Sequence, residues 1–199
     1  MQAIFTCISL YTHVMPHLIE TDRFELVLIE ADEMITLYEN HEELSIYRDK
    51  NFSNPHRVLV DESGPLRWRV PQVKEDPSLA IWLIRWIVDK ATREIVGSIS
   101  FHAKPDDSGM IEIGLGIHSN FQNNGIGAEA LEGMWSWVID QPGVKTLRYT
   151  VSESNAPSIA LINKFGFENV GIQIDEEDGP EIIFEMSADR FRSMGDRHE

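Results

Sequence analysis

The sequence predicts an α/β (α+β) fold in a single domain, on three observations. Seven segments have the apolar or alternating pattern of β-strands, and segments with apolar residues at helical spacing lie between them. The composition, with 42% hydrophobic and 25% charged residues in 199, is that of an ordinary globular chain. No segment approaches the roughly 20 apolar residues that a membrane helix needs. We therefore predict a domain over residues 21–190, an N-terminal extension over 1–20 and a C-terminal tail over 191–199.

The first half of the chain predicts two strands separated by a helix and a long irregular region. Residues 22–29 alternate weakly as a strand does, and the acidic residues within 30–33 suit the first turn of a following helix. Several prolines among charged residues at 49–77 predict loops and short helical turns rather than regular structure. The apolar run at 79–88 predicts a strand that is buried on both faces.

The second half predicts an antiparallel meander followed by alternating helices and strands. Segments 94–101 and 110–117 read as strands joined by the turn PDDSG. A helix face then follows, formed by Leu131, Met134, Trp135 and Val138 and ended by Pro142-Gly143. The remaining elements are a strand near 147–151, a helix between Asn155 and Gly166, and strands near 168–175 and 181–186.

The stretch EIGLGIHSNFQNNGIGAEAL joins a strand to a helix through a loop that contains Gly125 and Gly127. Glycines allow backbone N–H groups to approach a ligand closely, and a helix N-terminus attracts anions such as a diphosphate. A plain tight turn is an equally good interpretation of two glycines before a helix. The loop has neither the Gly-Lys-Ser/Thr ending of a P-loop nor the G-x-G-x-x-G spacing of a dinucleotide site.

Residues 122–127, read as Gln-Asn-Asn-Gly-Ile-Gly, match the Gln/Arg-x-x-Gly-x-Gly/Ala signature of the GNAT acetyltransferases. The order of the segments VGSISF, PDDSG, IEIGLGI, AEALEGMWSW and SESNAPSIALINKFGF also resembles that superfamily, in its RimJ/RimL branch. The resemblance covers 94–167 and implies the GNAT fold, a mixed, mostly antiparallel central sheet of about seven strands flanked by helices. It implies acetyl-CoA as the acyl donor.

The resemblance also implies the donor-binding residues. The backbone of the loop would hold the pyrophosphate, and the preceding strand would pair with the pantetheine through its free edge. These positions are Gln122, Asn123, Asn124, Gly125, Ile126 and Gly127 in the loop, and Leu115, Gly116 and Ile117 in the strand. Asn155 would bind the cofactor or merely cap its helix, and Ser158 would lie near the sulfur or be a spectator. The sequence departs from the branch where an Arg-Gly-x start is usual, and Ile162 occupies the position of the tyrosine that is the acid in many relatives.

Glu112 is the predicted general base. It shares a strand face with Gly114 and Gly116, and an alkylamine must lose a proton before it attacks a thioester. A solvent-facing or salt-bridged glutamate is the alternative. His102 and His118 are further candidates, although we favour surface or polar-network roles for them.

Charge and cysteine content constrain the partners and the compartment. The net charge of −16 disfavours nucleic acid and favours a cationic amine or basic peptide, unless it only keeps the chain soluble. The single cysteine, Cys7, fits a reducing, cytoplasmic environment, and Met15 is an alternative start that would leave residues 1–14 without a core role. We expect no metal, because the seven histidines lack the spacing of a helical zinc site.

The sequence therefore predicts an N-acetyltransferase that moves an acetyl group from acetyl-CoA to a primary amine by direct attack in a ternary complex. Cys7 lies outside the matched core, which disfavours a covalent intermediate. We expect the acceptor, a small-molecule or peptide amine, to bind between the first helix and residues 49–77. Residues 67–69, Arg-Trp-Arg, contact it or are ordinary packing with solvated charges. The alternatives are a non-catalytic acyl-CoA-binding or sensing module and an acidic interaction protein. We expect no membrane partner and leave a homodimer open.

Overall fold

The computed structural model describes residues 17–41, 44–61, 64–175 and 179–195. Cys7, Met15 and the suggested extension over 1–14 lie outside the described residues. The strands are β1 Leu18–Glu20, β2 Phe24–Leu28, β3 Ile84–Asp89, β4 Ile95–Phe101, β5 Met110–Ile117, β6 Thr146–Ser152, β7 Glu168–Asp175 and β8 Gly179–Ser187. The α-helices are α1 Ala31–Glu39, α2 Leu66–Glu75, α3 Ile126–Val138, α4 Ala156–Lys164 and α5 Ala188–Gly195.

The strands form one mixed sheet in the order β1-β2-β3-β4-β5-β6-β8-β7. Only the β5–β6 pair is parallel, so the predicted class of a mostly antiparallel sheet flanked by helices is confirmed. The sheet has eight strands rather than about seven. The additional strand, β1, pairs with β2 and buries Ile19, so the sheet begins within the segment that we assigned to the N-terminal extension.

Two apolar clusters cover the two faces of the sheet. Successive side chains of a strand point to opposite faces of the sheet, so Ile87 of β3 belongs to one cluster and Trp86 to the other. Helices α3, α4 and α5 contribute to the first cluster, where Trp135 stacks on Phe167 with 4.6 Å between ring centroids. Helices α1 and α2 contribute to the second. The C-terminal helix α5 begins before the predicted tail at 191, and its Phe191 is buried against Trp135.

Two predictions about the first half were wrong. Residues 49–77 contain the ten-residue helix α2, with Pro71 inside it. Leu66, Val70 and Val73 are buried at helical spacing, and their packing outweighs the loss of one backbone hydrogen bond at the proline. The strand expected from residue 79 begins only at Ile84, because Pro77–Trp82 forms a 3₁₀ helix capped by the Asp76 side chain.

Candidate active site

The sheet opens between its two parallel strands. Strand β5 pairs with β6 only over Met110–Glu112, opposite Thr146–Arg148, and its later residues pair with β4 alone. Strand β6 pairs with β8 over its whole length, Thr146–Ser152. The edge of β5 from Gly114 to Ile117 that faces β6 is therefore free of strand partners among the described residues. An added Cβ at Gly116 would meet no atom within 4 Å, so space is open beside this edge.

A cleft of about 1080 Å³ lies over this opening, on the face of the sheet that α2 covers. It brings together five of the predicted site residues: Glu112, Leu115, Gly116, Ile117 and Gln122. The other predicted residues lie outside its lining; they are Asn123, Asn124, Gly125, Ile126, Gly127, Asn155 and Ser158. The cleft is also lined by α2 and by polar side chains of β7 and β8.

Glu112 lies in the floor of the cleft with only 15% of its side chain exposed. The Thr150 hydroxyl donates a short hydrogen bond to Glu112 Oε1, and His102 Nδ1 lies 3.3 Å from the same oxygen. Glu112 is thus neither solvent-facing nor paired with a permanent cation in direct contact. Its carboxylate is oriented by the hydrogen bond from Thr150, as a positioned base requires.

His102 contributes a neutral imidazole to the cleft. Burial, and then the Arg69 guanidinium, lower the pKa of His102 to about 4, while Asp175 opposes the shift. The contact with Glu112 does not reverse it. An added Cβ at Gly114 would lie 3.2 Å from His102 Nε2, so this ring nitrogen reaches across to β5. At neutral pH the ring therefore carries no charge and lies between Glu112 and Gly114 of β5.

Arg69 corrects our interpretation of residues 67–69 as packing with solvated charges. Its side chain is buried, with 7% of the residue exposed, and its Nε–H donates to Phe101 O at 3.1 Å. Burial lowers the pKa of Arg69 to about 10 and Glu112 opposes the shift, so the guanidinium stays charged at neutral pH. Trp68 is 50% exposed at the rim of the cleft, with the Arg67 guanidinium carbon 4.9 Å from its ring centroid. No local pattern indicated Arg69, because its burial depends on the unexpected helix α2.

The glycine loop leads directly into α3. Gly125 is the N-cap residue, in the left-handed region at φ 75°, and the preceding Asn123 has φ 64°. The first-turn N–H groups of α3 have no acceptor within the helix, so they are available to an anion. A Cβ at Gly127 would approach Leu115 Cδ1 to 3.1 Å and Leu161 Cδ2 to 3.3 Å. Close packing of the helix on β5 therefore favours glycine there.

Side chains stabilise this loop from within. Gln122 Nε2 donates to Ile117 O at 3.0 Å, and Asn124 Nδ2 donates to Phe121 O at 3.2 Å. The Ile126 side chain is buried, so only its backbone is placed to contact a ligand. The loop thus presents backbone groups on a conformation that its own amide side chains hold, which fits a diphosphate.

The start of α4 lies next to the end of β6. Asn155 is the N-cap, and its side chain accepts a hydrogen bond from Ser158 N at 3.2 Å, so its capping role is confirmed. The Ser158 side chain lies near Tyr149, a buried residue of β6. Burial raises the pKa of Tyr149, and Ser158 opposes that shift. Ile162 is fully buried in the core, so it offers no group to a ligand.

His118 lies at the rim of the cleft, beyond β5, and packs against His56 with ring centroids 5.0 Å apart. Its ring also packs near that of Phe121, with 6.0 Å between the ring centroids. Within the part of the chain that the structure describes, no cluster of three His, Cys, Asp or Glu side chains could hold a metal ion. None of the described helices combines the length and apolar character that a membrane crossing requires.

The open parallel strand pair beside a glycine-bearing helix start is the arrangement that the resemblance to the GNAT acetyltransferases implied. Residues 23–168 match the family model for the acetyltransferase (GNAT) domain. The chain belongs to this family.

Known relatives extend this finding in sequence and in structure. The chain is 32% identical over 81 residues to the uncharacterized N-acetyltransferase YjdG of Bacillus subtilis, which covers 41% of this chain and 48% of YjdG. It is 28% identical over 91 residues to the uncharacterized N-acetyltransferase p20 of Bacillus licheniformis, and the match covers 46% of this chain and 51% of p20. The chain thus spans about half the length of the curated relatives it matches.

Solved structures with the same fold include the ribosomal-protein-S5-alanine acetyltransferase of Vibrio fischeri. Its TM-score is 0.61 at 16% identity, over 87% of this chain and 98% of that chain. The microcin C7 self-immunity acetyltransferase MccE, in complex with acetyl-CoA and AMP, gives a TM-score of 0.56 at 20% identity. That match covers 83% of this chain and 93% of the MccE chain. At these identities the likeness concerns the fold.

Proposed function

We propose that this protein is an N-acetyltransferase that moves the acetyl group of acetyl-CoA directly to a primary amine. One observation carries the proposal: Glu112 lies in a cleft on the same strand whose later residues have a free edge beside the glycine loop. Membership of the GNAT family supports the donor, and the cleft supports a second substrate next to it.

The donor side of the site comprises β5 residues 114–117, the loop 122–127 and the start of α4. The free edge of Gly114–Ile117 would pair with the pantetheine amides, as an added strand does. The backbone of the loop and the first turn of α3 would hold the diphosphate. Asn155 and Ser158 would complete this side, with Ser158 near the sulfur and Tyr149 behind it.

Glu112 would take a proton from the acceptor ammonium, either directly or through water. An alkylammonium has a pKa near 10, so a positioned base raises the fraction of amine that can attack. The amine nitrogen would form a bond to the acetyl carbon as the carbon–sulfur bond breaks, its second proton would pass to water, and CoA would leave as a thiolate. Because a thiol has a pKa near 8.5, the leaving group needs little help, and the absence of a hydroxyl at Ile162 is tolerable.

The acceptor side comprises α2, residues 56–61 and the β7–β8 strands, which together line the rest of the cleft. Here carboxylates on the sheet, at Glu112, Asp175 and Glu181, lie opposite Trp68 and the arginines of α2. This arrangement suits an amine that also carries polar or anionic groups, as a peptide N-terminus or a polar small molecule does. The Asn155-x-x-Ser158 pattern supports placement in the RimJ/RimL-like branch.

The decisive experiment compares the parent with Glu112→Gln in assays of CoA thiol release over a panel of primary amines. We expect kcat to fall about 100-fold to 10,000-fold for the best acceptor, the usual range for loss of a general base. The affinity for acetyl-CoA should stay within about twofold, because Glu112 would act on the amine. Glu132→Gln, which changes an exposed glutamate of α3, is the matched control and should retain parental rates.

Two other results would change the conclusion. A Glu112→Gln variant that keeps parental turnover would remove Glu112 from the role of base. A parent that binds acetyl-CoA yet transfers to no amine would instead indicate the non-catalytic binding module, which the buried Ile162 in place of an acid also allows.

A further inference from the structure

Arg23, at the turn between β1 and β2, joins two distant parts of the chain. Its Nε–H donates to Glu129 Oε2 at 2.7 Å, and its backbone N–H donates to Glu129 Oε1, also at 2.7 Å. Its Nη1–H donates to Asn124 O at 3.0 Å. One side chain therefore contacts both the first turn of α3 and the loop that precedes it.

Glu129 places a negative charge where the diphosphate would bind. It lies in the first turn of α3, where a carboxylate favours the helix but repels an incoming anion. Burial alone would raise the pKa of Glu129. The hydrogen bonds that Thr21 and Arg23 donate to its carboxylate outweigh the effect of burial, so the pKa is lowered. Glu129 is therefore ionised at neutral pH, and the anion site tolerates it only if a cation balances its charge.

Arg23 supplies that cation. Its Nη2 lies 3.5 Å from where a Cβ would stand on Gly125, so the guanidinium lies beside the loop. The loop itself begins with Gln122-Asn123-Asn124 and contains no cation of its own. The usual Arg-Gly-x start would carry a positive charge within the loop. Here Arg23 provides that charge, although it lies 101 residues before Asn124 and 106 residues before Glu129 in the chain.

We infer that Arg23 is a positioning residue for the acyl-CoA diphosphate: it holds the 122–127 loop through Asn124 and neutralises Glu129. This inference rests on the proposed function. In this role Arg23 acts through its charge on the phosphate-bearing donor. The alternative is a structural tie, in which the Arg23–Glu129 contact merely joins the β1–β2 turn to α3. A structural tie would be equally damaged from either end, whereas the charge effect has opposite signs at Arg23 and Glu129.

The test is isothermal titration of acetyl-CoA into four proteins: the parent, Arg23→Gln, Glu129→Gln and the double variant. We expect Arg23→Gln to bind about tenfold more weakly, which corresponds to about 1.4 kcal/mol. Glu129→Gln should bind at least as tightly as the parent, because it loses the repulsive charge. The double variant should recover most of the affinity that Arg23→Gln loses, and Arg23→Lys should fall between the parent and Arg23→Gln.

Arg190→Gln is the matched control. Arg190 also joins a carboxylate, Glu168, to a loop carbonyl, that of Gly166, but it does so at the end of α4. Its loss should leave the affinity for acetyl-CoA unchanged. An S-acetyl-pantetheine donor, which lacks the phosphates, should be used by Arg23→Gln as well as by the parent.

The possible outcomes test the role of Arg23 separately from the proposed function. If the parent binds acetyl-CoA and Arg23→Gln binds it equally well, the inference is overturned and the proposed function stands. If Arg23→Gln and Glu129→Gln both weaken binding and the double variant recovers nothing, Arg23 is a structural tie and the inference is again overturned. If the parent itself does not bind acetyl-CoA, the proposed function falls and the inference falls with it. Should Arg23→Gln fail to fold, Arg23→Lys and Glu129→Gln retain the opposite-sign prediction.

Discussion

The proposed donor side and the proposed acceptor side of the site are built in different ways. The donor side is made mainly of backbone: a strand edge, a glycine loop and a helix start, all within residues 114–127. The acceptor side is made of long side chains from segments far apart in the chain, such as Arg69, Gln72, Asp175 and Glu181. Under the proposed function, the first would recognise features common to all CoA thioesters, and the second would determine which amine is used. The two sides should therefore respond separately to substitution.

Arg69→Met should give the largest effect among changes confined to the acceptor side. Removing the buried cation next to Glu112 and His102 should lower kcat by about tenfold or more, an effect of about 1.4 kcal/mol on the barrier. The affinity for acetyl-CoA should stay within about twofold. Because removing one member of a buried charge arrangement is often destabilising, thermal unfolding of Arg69→Met should be followed to establish that the variant is folded under the assay conditions. Steady-state kinetics and titration of acetyl-CoA measure both quantities, and a parallel loss in both would show that the two sides are not separable.

Trp68→Ala should have a smaller effect, limited to the acceptor. The half-exposed indole lies at the rim of the cleft, so its loss should raise the KM for the amine about three- to tenfold, the scale of one aromatic contact. Because Trp68 is not in the core, the free energy of unfolding should change by no more than about 0.5 kcal/mol. Leu44→Ala, an exposed apolar residue outside the cleft, is the control. An unchanged amine KM would remove Trp68 from the acceptor side.

Much of the donor side could be predicted from the sequence, because its signals are local. Gly125 needs its left-handed conformation, Gly127 needs its close approach to Leu115, and the strand alternation places Glu112 on the face with Gly114. The splitting of the parallel strands was available only through the family resemblance.

The region 49–77, where we expected the acceptor, does line the cleft, whereas the first helix, α1, lies outside its lining. The individual side chains there could not be predicted, for two physical reasons. Helix α2 contains Pro71, whose local preference indicates a break, while the packing that stabilises the helix comes from α1 and the sheet. Arg69 looks solvated in sequence and is buried only because α2 forms. The partners of Glu112 likewise come from β6 and from the residue that follows β4, and no spacing within one segment reveals a contact between segments.

His102→Gln should give the smallest effect, visible in the pH dependence of stability. In the folded protein the pKa of His102 is about 4, below its ordinary value of 6.5. Between these pH values the unfolded chain binds a proton that the folded chain does not, so this contribution is complete above pH 6.5 and declines as the pH falls towards 4. The Tm of the parent should therefore fall more steeply than that of His102→Gln between pH 6.5 and 4.5. His41→Gln, at an exposed position, should follow the parent. Parallel curves for the parent and His102→Gln would contradict the low pKa.

The most direct measurement is isothermal titration of acetyl-CoA into the parent and into the double variant Gly125→Asp and Gly127→Asp. The two aspartates add negative charge and bulk at the loop, where Gly125 has φ 75° and a Cβ on Gly127 would approach Leu115. Gly143→Asp, at another glycine of positive φ with open space around it, controls for backbone strain. We predict micromolar binding by the parent and by Gly143→Asp, and a loss of at least about 100-fold in the double variant, or about 2.7 kcal/mol. No binding by the parent, or equal binding by the folded double variant, would contradict the donor site on which the proposed function depends.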